Sequence, residues 1–344
     1  MHFIVTTKTS SSYGDLFFTK PAQEETEKAA QKIAELCYKV VPQTEQYIQR
    51  LEEELRYMRE TETAYHFLIL KEINELSPKG LLLYGDAAGS LISWLLGLCT
   101  VDPFDKELEE HHLTTPAEFV WGLPEQIKAP IFSLCIDPQM RPLVQSRLDQ
   151  CFGRVKADDN LYFRFSMLDF KKPEYISTSC LDVLRAIAER QIAHTKQLFA
   201  EKSLTEMEFY ERTSLLQEIR ELQSCDVPTL IRLWAYYLSD FEGQKRVADL
   251  EDPWFFATKD ELYAKLIGCG VSKQDAMEIV KKGVWSSGEK RENYIALLNR
   301  YSVPRALIRN FTKVHYLCDA AYVNIHIRYI MNAGVAHNDK LENS

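Results

Sequence analysis

The sequence predicts an α+β fold that is predominantly α-helical. Three long stretches, residues 22–40, 44–76 and 181–223, carry apolar side chains at helical spacing. Short apolar runs bounded by turn-forming residues lie between them and indicate strands. The sequence has no internal repeat and no low-complexity tract. The long helical stretches and the short strands together predict an α-rich α+β protein.

The length and composition are those of a soluble protein with a substantial core. The chain has 344 residues, of which 46% are hydrophobic and 26% charged, enough for about two domains. Its 8 cysteines form no C-x-x-C pair and no zinc-binding spacing, so we expect buried, reduced thiols. The first residues lack the pattern of a signal peptide, and the longest apolar run, Leu91–Leu98, is too short to span a bilayer. These features favour a cytoplasmic protein that does not enter a membrane.

The helical stretches differ in character. In the first, Ala29, Ile33 and Cys37 recur at helical spacing, which predicts one apolar face. The second is ended by the Pro-Lys-Gly sequence that follows it. In the third, residues 201–223 are so highly charged that we expect a solvated helix. From Pro228 onwards, prolines and glycines divide the chain into short helices.

Four short apolar runs predict strands. They are HFIVTT (His2–Thr7), LLLY (Leu81–Tyr84), IFSLCI (Ile131–Ile136) and LYFRFSML (Leu161–Leu168). Their apolar and aromatic residues suit the half-buried surface of a sheet.

A loop of small residues joins the second of these runs to an apolar helical segment. Its sequence from Gly85 to Ser90 is GDAAGS. Small residues between a strand and a helix let the backbone approach a phosphate group, which the first turn of the helix attracts. Gly85, Gly89 and Ser90 are therefore the candidate phosphate-loop residues.

Positive charge is concentrated in the C-terminal part of the chain. The whole chain has a net charge of −9, whereas residues 254–328 hold 12 lysines and arginines against 7 acids. Clustered cations with an aromatic residue among them suit a nucleic-acid surface, although an ordinary charged helical surface is the alternative interpretation. The residues that could contact nucleic acid are Lys281, Lys282, Trp285, Lys290, Arg291, Arg305, Arg309 and Lys313.

Four blocks of sequence resemble one polymerase family. Residues 65–98 contain the AAGS loop, residues 114–136 end in PIFSLCI, residues 159–176 contain LYFRFSMLDF, and residues 252–328 contain DAMEIVKKG, VPRALIRNF and DAAYV. In order and character they resemble the palm and fingers of a C-family bacterial replicative polymerase, the DNA polymerase III α subunit of the PolC type. The blocks cover roughly half of the chain, and the exonuclease, PHP and thumb parts of the family have no visible counterpart.

The resemblance implies a division of the chain into five segments. A strand and helices in residues 1–64 would precede a degenerate palm remnant in residues 65–176. A helical connector in residues 177–250 would lead to a helical fingers-like domain in residues 251–334. Residues 335–344 would form a flexible tail.

The resemblance also implies that the metal-binding acids are missing. The palm of this family carries three aspartates that hold two magnesium ions for nucleotidyl transfer. Two of them, in the motif P-D-I-D-L-N-F, correspond to Ile131 and Ser133, and the third, in K-L-D-I-L-G, corresponds to Ser166. An isoleucine cannot bind a metal, and a neutral serine supplies no charge. We therefore expect no catalytic residue, no metal site and no cofactor in this chain.

The family's contacts to the nucleotide are altered as well. The arginine and the first serine of its R-G-S-x-x-G-S loop correspond to Tyr84 and Asp86, and Asp86 would place a negative charge beside a triphosphate. The P-K-A-H stretch that precedes A-A-Y-V in the family has no counterpart, because Asp319 runs directly into Ala320. The loop thus keeps the glycines of the turn without the cations that would neutralise phosphate.

Three functions follow from these observations. The preferred one is a PolC-like homologue without enzyme activity that acts as a binding or scaffold protein for an unidentified protein partner. An active DNA polymerase or other nucleotidyltransferase is the first alternative, and its magnesium would be held by the nearby acids Asp137, Asp158, Asp159 and Asp169. Weak, non-catalytic binding of nucleic acid is the second alternative.

Overall fold

The computed structural model describes residues 14–19, 23–76, 81–136, 142–143, 146, 160–167, 179–201 and 205–342. The chain divides into two compact units. The first comprises residues 1–104 and 115–172, and the second comprises residues 105–114 and 173–344.

The described elements confirm a predominantly α-helical α+β protein. The helices are α1 (Gln23–Tyr38), α2 (Glu45–Glu60), α3 (Ala64–Leu76), α4 (Leu91–Leu95), α5 (Lys106–Glu110), α6 (Ala117–Trp121), α7 (Cys180–Ala200), α8 (Glu206–Glu221), α9 (Val227–Leu238), α10 (Lys259–Gly268), α11 (Lys273–Glu278), α12 (Gly288–Arg300), α13 (Arg305–Lys313) and α14 (Ala320–Glu342). The strands are β1 (Gly14–Thr19), β2 (Leu81–Tyr84), β3 (Ser133–Ile136), β4 (Asn160–Met167), β5 (Asp240–Phe241) and β6 (Val314–Tyr316). The short helical turns are 3-10 at Asp86–Gly89 and Val247–Glu251 and π at Ile279–Gly283.

The first unit contains a four-stranded sheet of mixed direction. Its strand order is β1-β4-β3-β2, with β3 and β4 parallel and the two outer pairs antiparallel. The strand predictions for LLLY, IFSLCI and LYFRFSML are confirmed, although β3 begins only at Ser133. The run HFIVTT lies outside the described residues, and β1 was not predicted from the sequence.

Two predicted helical stretches are each divided in the structure. The stretch at residues 44–76 breaks between α2 and α3, where Glu62 adopts a left-handed φ of 55°. There the N–H of Thr63 donates to the carbonyl of Met58 at 3.0 Å and the N–H of Glu62 donates to that of Arg59 at 3.1 Å. This is a Schellman-type helix end, and the sequence concealed it because a glutamate holds the position where glycine is usual.

The second division separates α7 from α8 and has a local cause. Thr205 and Glu208 form a reciprocal capping box at the start of α8. A threonine followed three residues later by a glutamate begins a helix, because the two side chains satisfy backbone N–H groups of the first turn. The structure also continues α14 through Glu342, which differs from the tail predicted from residue 335.

The core of the first unit holds α2 in a fixed position. Helices α1 and α3 pack together, and α2 contacts α1, α4 and α6. The indole of Trp121 is fully buried, with its ring 6.2 Å from that of Tyr57 and 6.3 Å from that of Phe67. This packing presents Glu54 of α2 to the loop that follows β2.

The core of the second unit surrounds α9, which packs on α7 and α14. Next to it, the rings of Tyr236, Phe241 and Phe255 lie 4.8–5.3 Å apart in a buried cluster. The two-stranded pair β5-β6 joins this cluster to the end of α13. Among the described helices, none combines the length and the apolar character needed to cross a membrane.

Candidate functional site

The loop after β2 requires glycine at two positions. Gly85 has φ 82° and ψ −169°, a combination of backbone angles that residues other than glycine rarely adopt. A Cβ atom on Gly89 would lie 2.4 Å from the Cγ2 atom of Thr115, which is closer than two carbon atoms approach. The glycines of the predicted phosphate loop are therefore explained by backbone shape and close packing.

A buried carboxylate occupies the start of the helix that follows this loop. Glu54 of α2 is completely buried. Its side chain accepts a hydrogen bond from the hydroxyl of Ser90 at 2.5 Å and from the backbone N–H groups of Leu91 and Ile92 at 3.0 and 3.2 Å. These N–H groups begin α4 and are the ones that would otherwise attract an external anion. The first turn of α4 thus already holds an anion that belongs to the chain itself.

The charge of Glu54 is balanced within the same helix. The Nε atom of Arg50 donates to the Glu54 carboxylate at 2.6 Å, and the Arg50 side chain is only 12% exposed. Burying a carboxylate is costly unless it is paired and its oxygens are hydrogen-bonded. Glu54 meets both conditions, so its carboxylate joins α2, the loop and the start of α4 in one polar network.

Asp86 also has a partner within the first unit. Its carboxylate lies 3.3 Å from the Nζ atom of Lys128 in a partly exposed ion pair. The N–H of the next residue, Ala87, donates to the carbonyl of Ile131 at 3.1 Å. The loop is therefore anchored both to Lys128 and to the segment that leads into β3.

The backbone brings two of the three positions that the resemblance aligns with aspartates onto neighbouring strands. Ser133 begins β3, and Ser166 of β4 is paired with Cys135 of β3 in the parallel register. Ile131 precedes β3, and 57% of its surface is exposed. The alternative acids Asp137, Asp158, Asp159 and Asp169 lie outside the described residues. Within the described residues, no group of three or more histidine, cysteine, aspartate or glutamate side chains is arranged to hold a metal ion.

Helix α13 carries a stripe of three cations along its exposed face. Arg305, Arg309 and Lys313 are spaced four residues apart and are all exposed, so they share one face of the helix. The opposite face of α13 buries Leu307 and Phe311. Because this apolar face packs on the core, the face with the three cations is exposed. Three of the predicted nucleic-acid-binding residues are thus brought together.

The other exposed or half-buried residues of this set lie before and after an exposed indole in the chain, in the π turn and at the start of α12. Trp285 is 47% exposed, and its ring centroid lies 5.0 Å from that of Tyr316. Lys282 and Lys290 are exposed and Lys281 is half-buried. The Nζ atom of Lys282 lies 3.8 Å from the carboxylate of Glu278, a weak surface pair.

The prediction that Arg291 could contact nucleic acid is corrected by its burial. It is only 8% exposed, and its guanidinium donates hydrogen bonds to backbone carbonyl groups of the π turn, the loop after it and the end of α13. The acceptors are the carbonyl oxygens of Gly283, Val284, Ser286, Phe311 and Val314. Burial lowers the pKa of Arg291 from its ordinary value. Arg291 therefore stabilises the fold and is not exposed to a ligand.

Sequence reasoning missed the network of Glu54. The sequence at this point is LEEELR, and Glu52, Glu53 and Glu54 follow one another. Helical periodicity could have indicated Glu54, since it lies between Leu51 and Leu55 on the apolar side. The buried acceptor role itself becomes visible only when α4 is placed beside α2.

A comparison with protein families finds a match over the part of the chain that contains this loop. Residues 22–163 match the family model described as the bacterial DNA polymerase III alpha NTPase domain. The matched segment includes Arg50, Glu54 and the loop, and it supports a DNA polymerase III alpha-like relationship for this part of the chain. No curated protein matches the chain.

Proposed function

We propose that this protein is a DNA polymerase III alpha homologue of the PolC type that has lost polymerase activity and acts in the cytoplasm by binding a protein partner. The observation that carries the proposal is the residue type at the three positions that the resemblance aligns with the family's aspartates. Ser133 and Ser166 lie on adjacent parallel strands, where the resemblance would require aspartates, and Ile131 replaces the remaining acid.

The chemistry of nucleotidyl transfer explains why this observation matters. Two magnesium ions must be held by carboxylates within about 4 Å of each other to activate the primer hydroxyl and steady the charge at phosphorus. Serine and isoleucine supply neither the charge nor the hard anionic ligand. The Glu54 carboxylate at the start of α4 supports the same proposal, because it fills the place that a phosphate group would take.

Primer extension tests the loss of activity. We expect no nucleotide incorporation by the purified protein on a primed template with either magnesium or manganese. Incorporation that Asp137→Ala or Asp169→Ala abolishes would instead support an active enzyme with relocated acids. A matched variant, Asp86→Ala, removes an acid that already has a partner in Lys128 and serves as the control.

Binding of nucleic acid without catalysis is a second candidate function. It is favoured by the stripe of Arg305, Arg309 and Lys313, since no hydrogen-bond or ion-pair partner of their side chains is found in the part of the chain that the structure describes. Unpaired cations at regular spacing suit a phosphate backbone. The exposed ring of Trp285 adds a surface on which an unpaired base could stack.

Salt-dependent binding tests this second function. The triple variant Arg305→Gln/Arg309→Gln/Lys313→Gln should weaken binding of a fluorescent single-stranded oligonucleotide about tenfold or more at low salt. The matched control Lys32→Gln/Lys106→Gln/Lys196→Gln removes the same charge from exposed positions elsewhere and should change affinity much less. Equal losses in the two variants, or no binding by the unmodified protein at low salt, would reject the function.

A further inference from the structure

A pocket of about 650 Å³ lies wholly within the second unit. It is bounded by the loop after β5, the 3-10 turn at Val247–Glu251 and the exposed face of α13. Its lining includes Gly243, Ala248, Arg309 and Lys313. A volume of this size suits a small organic ligand.

The acidic groups of this pocket are already hydrogen-bonded. Each of the three carboxylates has a donor among the described residues. These pairs are Asp249 with Tyr236 Oη at 2.7 Å, Asp252 with Asn310 Nδ2 at 3.3 Å, and Glu242 with His315 Nε2 at 3.0 Å. An ionised carboxylate has about four acceptor sites, so each can still accept a hydrogen bond from a ligand hydroxyl.

The cations of the pocket are not balanced in the same way. Arg246 is paired with Asp249 at 3.0 Å. In contrast, the side chains of Arg309 and Lys313 have no partner within the described residues. They lie one helical turn apart, with a rise of about 6 Å along α13. Two unpaired cations at this spacing can bind one phosphate group from both sides.

We infer that this pocket binds a small phosphorylated polyol, with its phosphate between Arg309 and Lys313 and its hydroxyl groups directed at the pocket carboxylates. Carboxylates lie close to this cation pair, since the N–H of Glu242 donates to the carbonyl of Lys313 at 2.7 Å and Asn310, which follows Arg309, donates to Asp252. A ligand that carries hydroxyl groups beside its phosphate, as a sugar phosphate does, can therefore contact both. This inference goes beyond the proposed function, because it requires neither a protein partner nor a nucleic acid.

Calorimetric titration of the full chain tests the ligand class. Ribose 5-phosphate is the probe, and ribose and inorganic phosphate each supply one half of its chemistry. We expect ribose 5-phosphate to bind at least about tenfold more tightly than either half, since charge-assisted and neutral hydrogen bonds both contribute. Absence of binding, or equal affinity for ribose or for phosphate alone, would overturn the inference.

Three variants locate the site. Arg309→Gln should weaken ribose 5-phosphate binding about tenfold, while Arg305→Gln is the matched control because Arg305 lies on the same face of α13 outside the pocket lining. Ala248→Trp fills the pocket from an exposed position without changing charge and should also block binding. Equal effects of Arg305→Gln and Arg309→Gln, or full binding by Ala248→Trp, would overturn the inference.

A single-stranded oligonucleotide distinguishes the pocket from a nucleic-acid surface. On a nucleic-acid surface, Arg305→Gln and Arg309→Gln should weaken oligonucleotide binding alike, whereas only Arg309→Gln affects the pocket. Oligonucleotide binding without ribose 5-phosphate binding would overturn the pocket inference and leave the second candidate function intact. The pocket inference does not depend on whether the protein incorporates nucleotides in the primer-extension test.

Discussion

The carboxylate of Glu54 accepts a hydrogen bond of 2.5 Å from the hydroxyl of Ser90, 36 residues further along the chain. The same carboxylate accepts from the N–H groups of Leu91 and Ile92 and is paired with Arg50. The acidic side chain of Glu54 therefore occupies the hydrogen-bond donors at the end of the loop from which we predicted phosphate binding. These hydrogen bonds join the loop to α2, and their contribution to the stability of the first unit can be measured.

Removal of the Glu54 carboxylate should strongly destabilise the first unit. Glu54→Ala leaves Arg50 and the first turn of α4 without their acceptor, and breaking a buried ion pair costs about 3–5 kcal/mol. Thermal unfolding followed by circular dichroism measures the loss. Glu52→Gln is the matched control, because Glu52 is exposed two positions earlier in the same helix, and it should change stability by less than about 0.5 kcal/mol. A similar melting temperature for the two variants would show that the buried network contributes little.

A methyl group at Gly89 should disrupt the packing of the loop. Gly89→Ala places a Cβ atom 2.4 Å from Thr115 Cγ2, and relief of such overpacking costs about 1–3 kcal/mol. Gly268→Ala is the control, because Gly268 lies in α10 with open space around the position of its Cβ atom. In the same unfolding measurement, that change should be neutral or stabilising. Equal stability of the two variants would contradict the close approach.

Loss of the Arg291 guanidinium should lower stability without changing oligonucleotide affinity. Arg291→Met removes the side-chain donor to the carbonyl groups of Val284 and Val314, and an unsatisfied buried acceptor costs about 1–3 kcal/mol. The neighbouring Lys290 is exposed, so Lys290→Gln should leave the melting temperature nearly unchanged. Both variants are compared by thermal unfolding and by oligonucleotide titration at a temperature where each is folded. A loss of affinity specific to folded Arg291→Met would return Arg291 to the nucleic-acid surface.

The stability of the second unit should fall as the pH rises towards neutrality. Burial, with the nearby charge of Asp319, raises the pKa of Asp260 from its ordinary value of 3.8 to about 7. Between these two values the folded state keeps a proton that the unfolded state has released, so unfolding becomes easier as pH increases and levels off above about 7. Asp260→Asn imitates the protonated side chain and keeps an oxygen to accept from the N–H of Ala320, as Asp260 does at 2.7 Å.

Melting temperatures at pH 5 and pH 8 test this dependence. The unmodified protein should lose more stability between these values than Asp260→Asn does, by on the order of 1 kcal/mol or more. The difference in melting temperature between Asp260→Asn and the unmodified protein should therefore shift in favour of the variant from pH 5 to pH 8. An identical pH dependence in the two proteins would mean that Asp260 does not titrate in this range.

Much of the fold follows from local sequence. Apolar spacing located α1, and short apolar runs located β2, β3 and β4. The break between α2 and α3 was not predicted, because Glu62 takes the left-handed conformation that glycine usually marks. The strand pairing was also beyond local reasoning, since the parallel register of β3 and β4 joins segments separated along the chain.

The sequence by itself determined the helical character of the chain and the absence of acids at Ile131, Ser133 and Ser166, because residue type and periodicity are local properties. Tertiary structure alone decided that Glu54 is buried against α4 while Glu52 is exposed, and that Arg291 is buried while Arg309 lines a pocket. The physical reason is that burial and hydrogen-bond partners come from elements far apart in sequence. Charged residues of the same type therefore take opposite roles once the chain has folded.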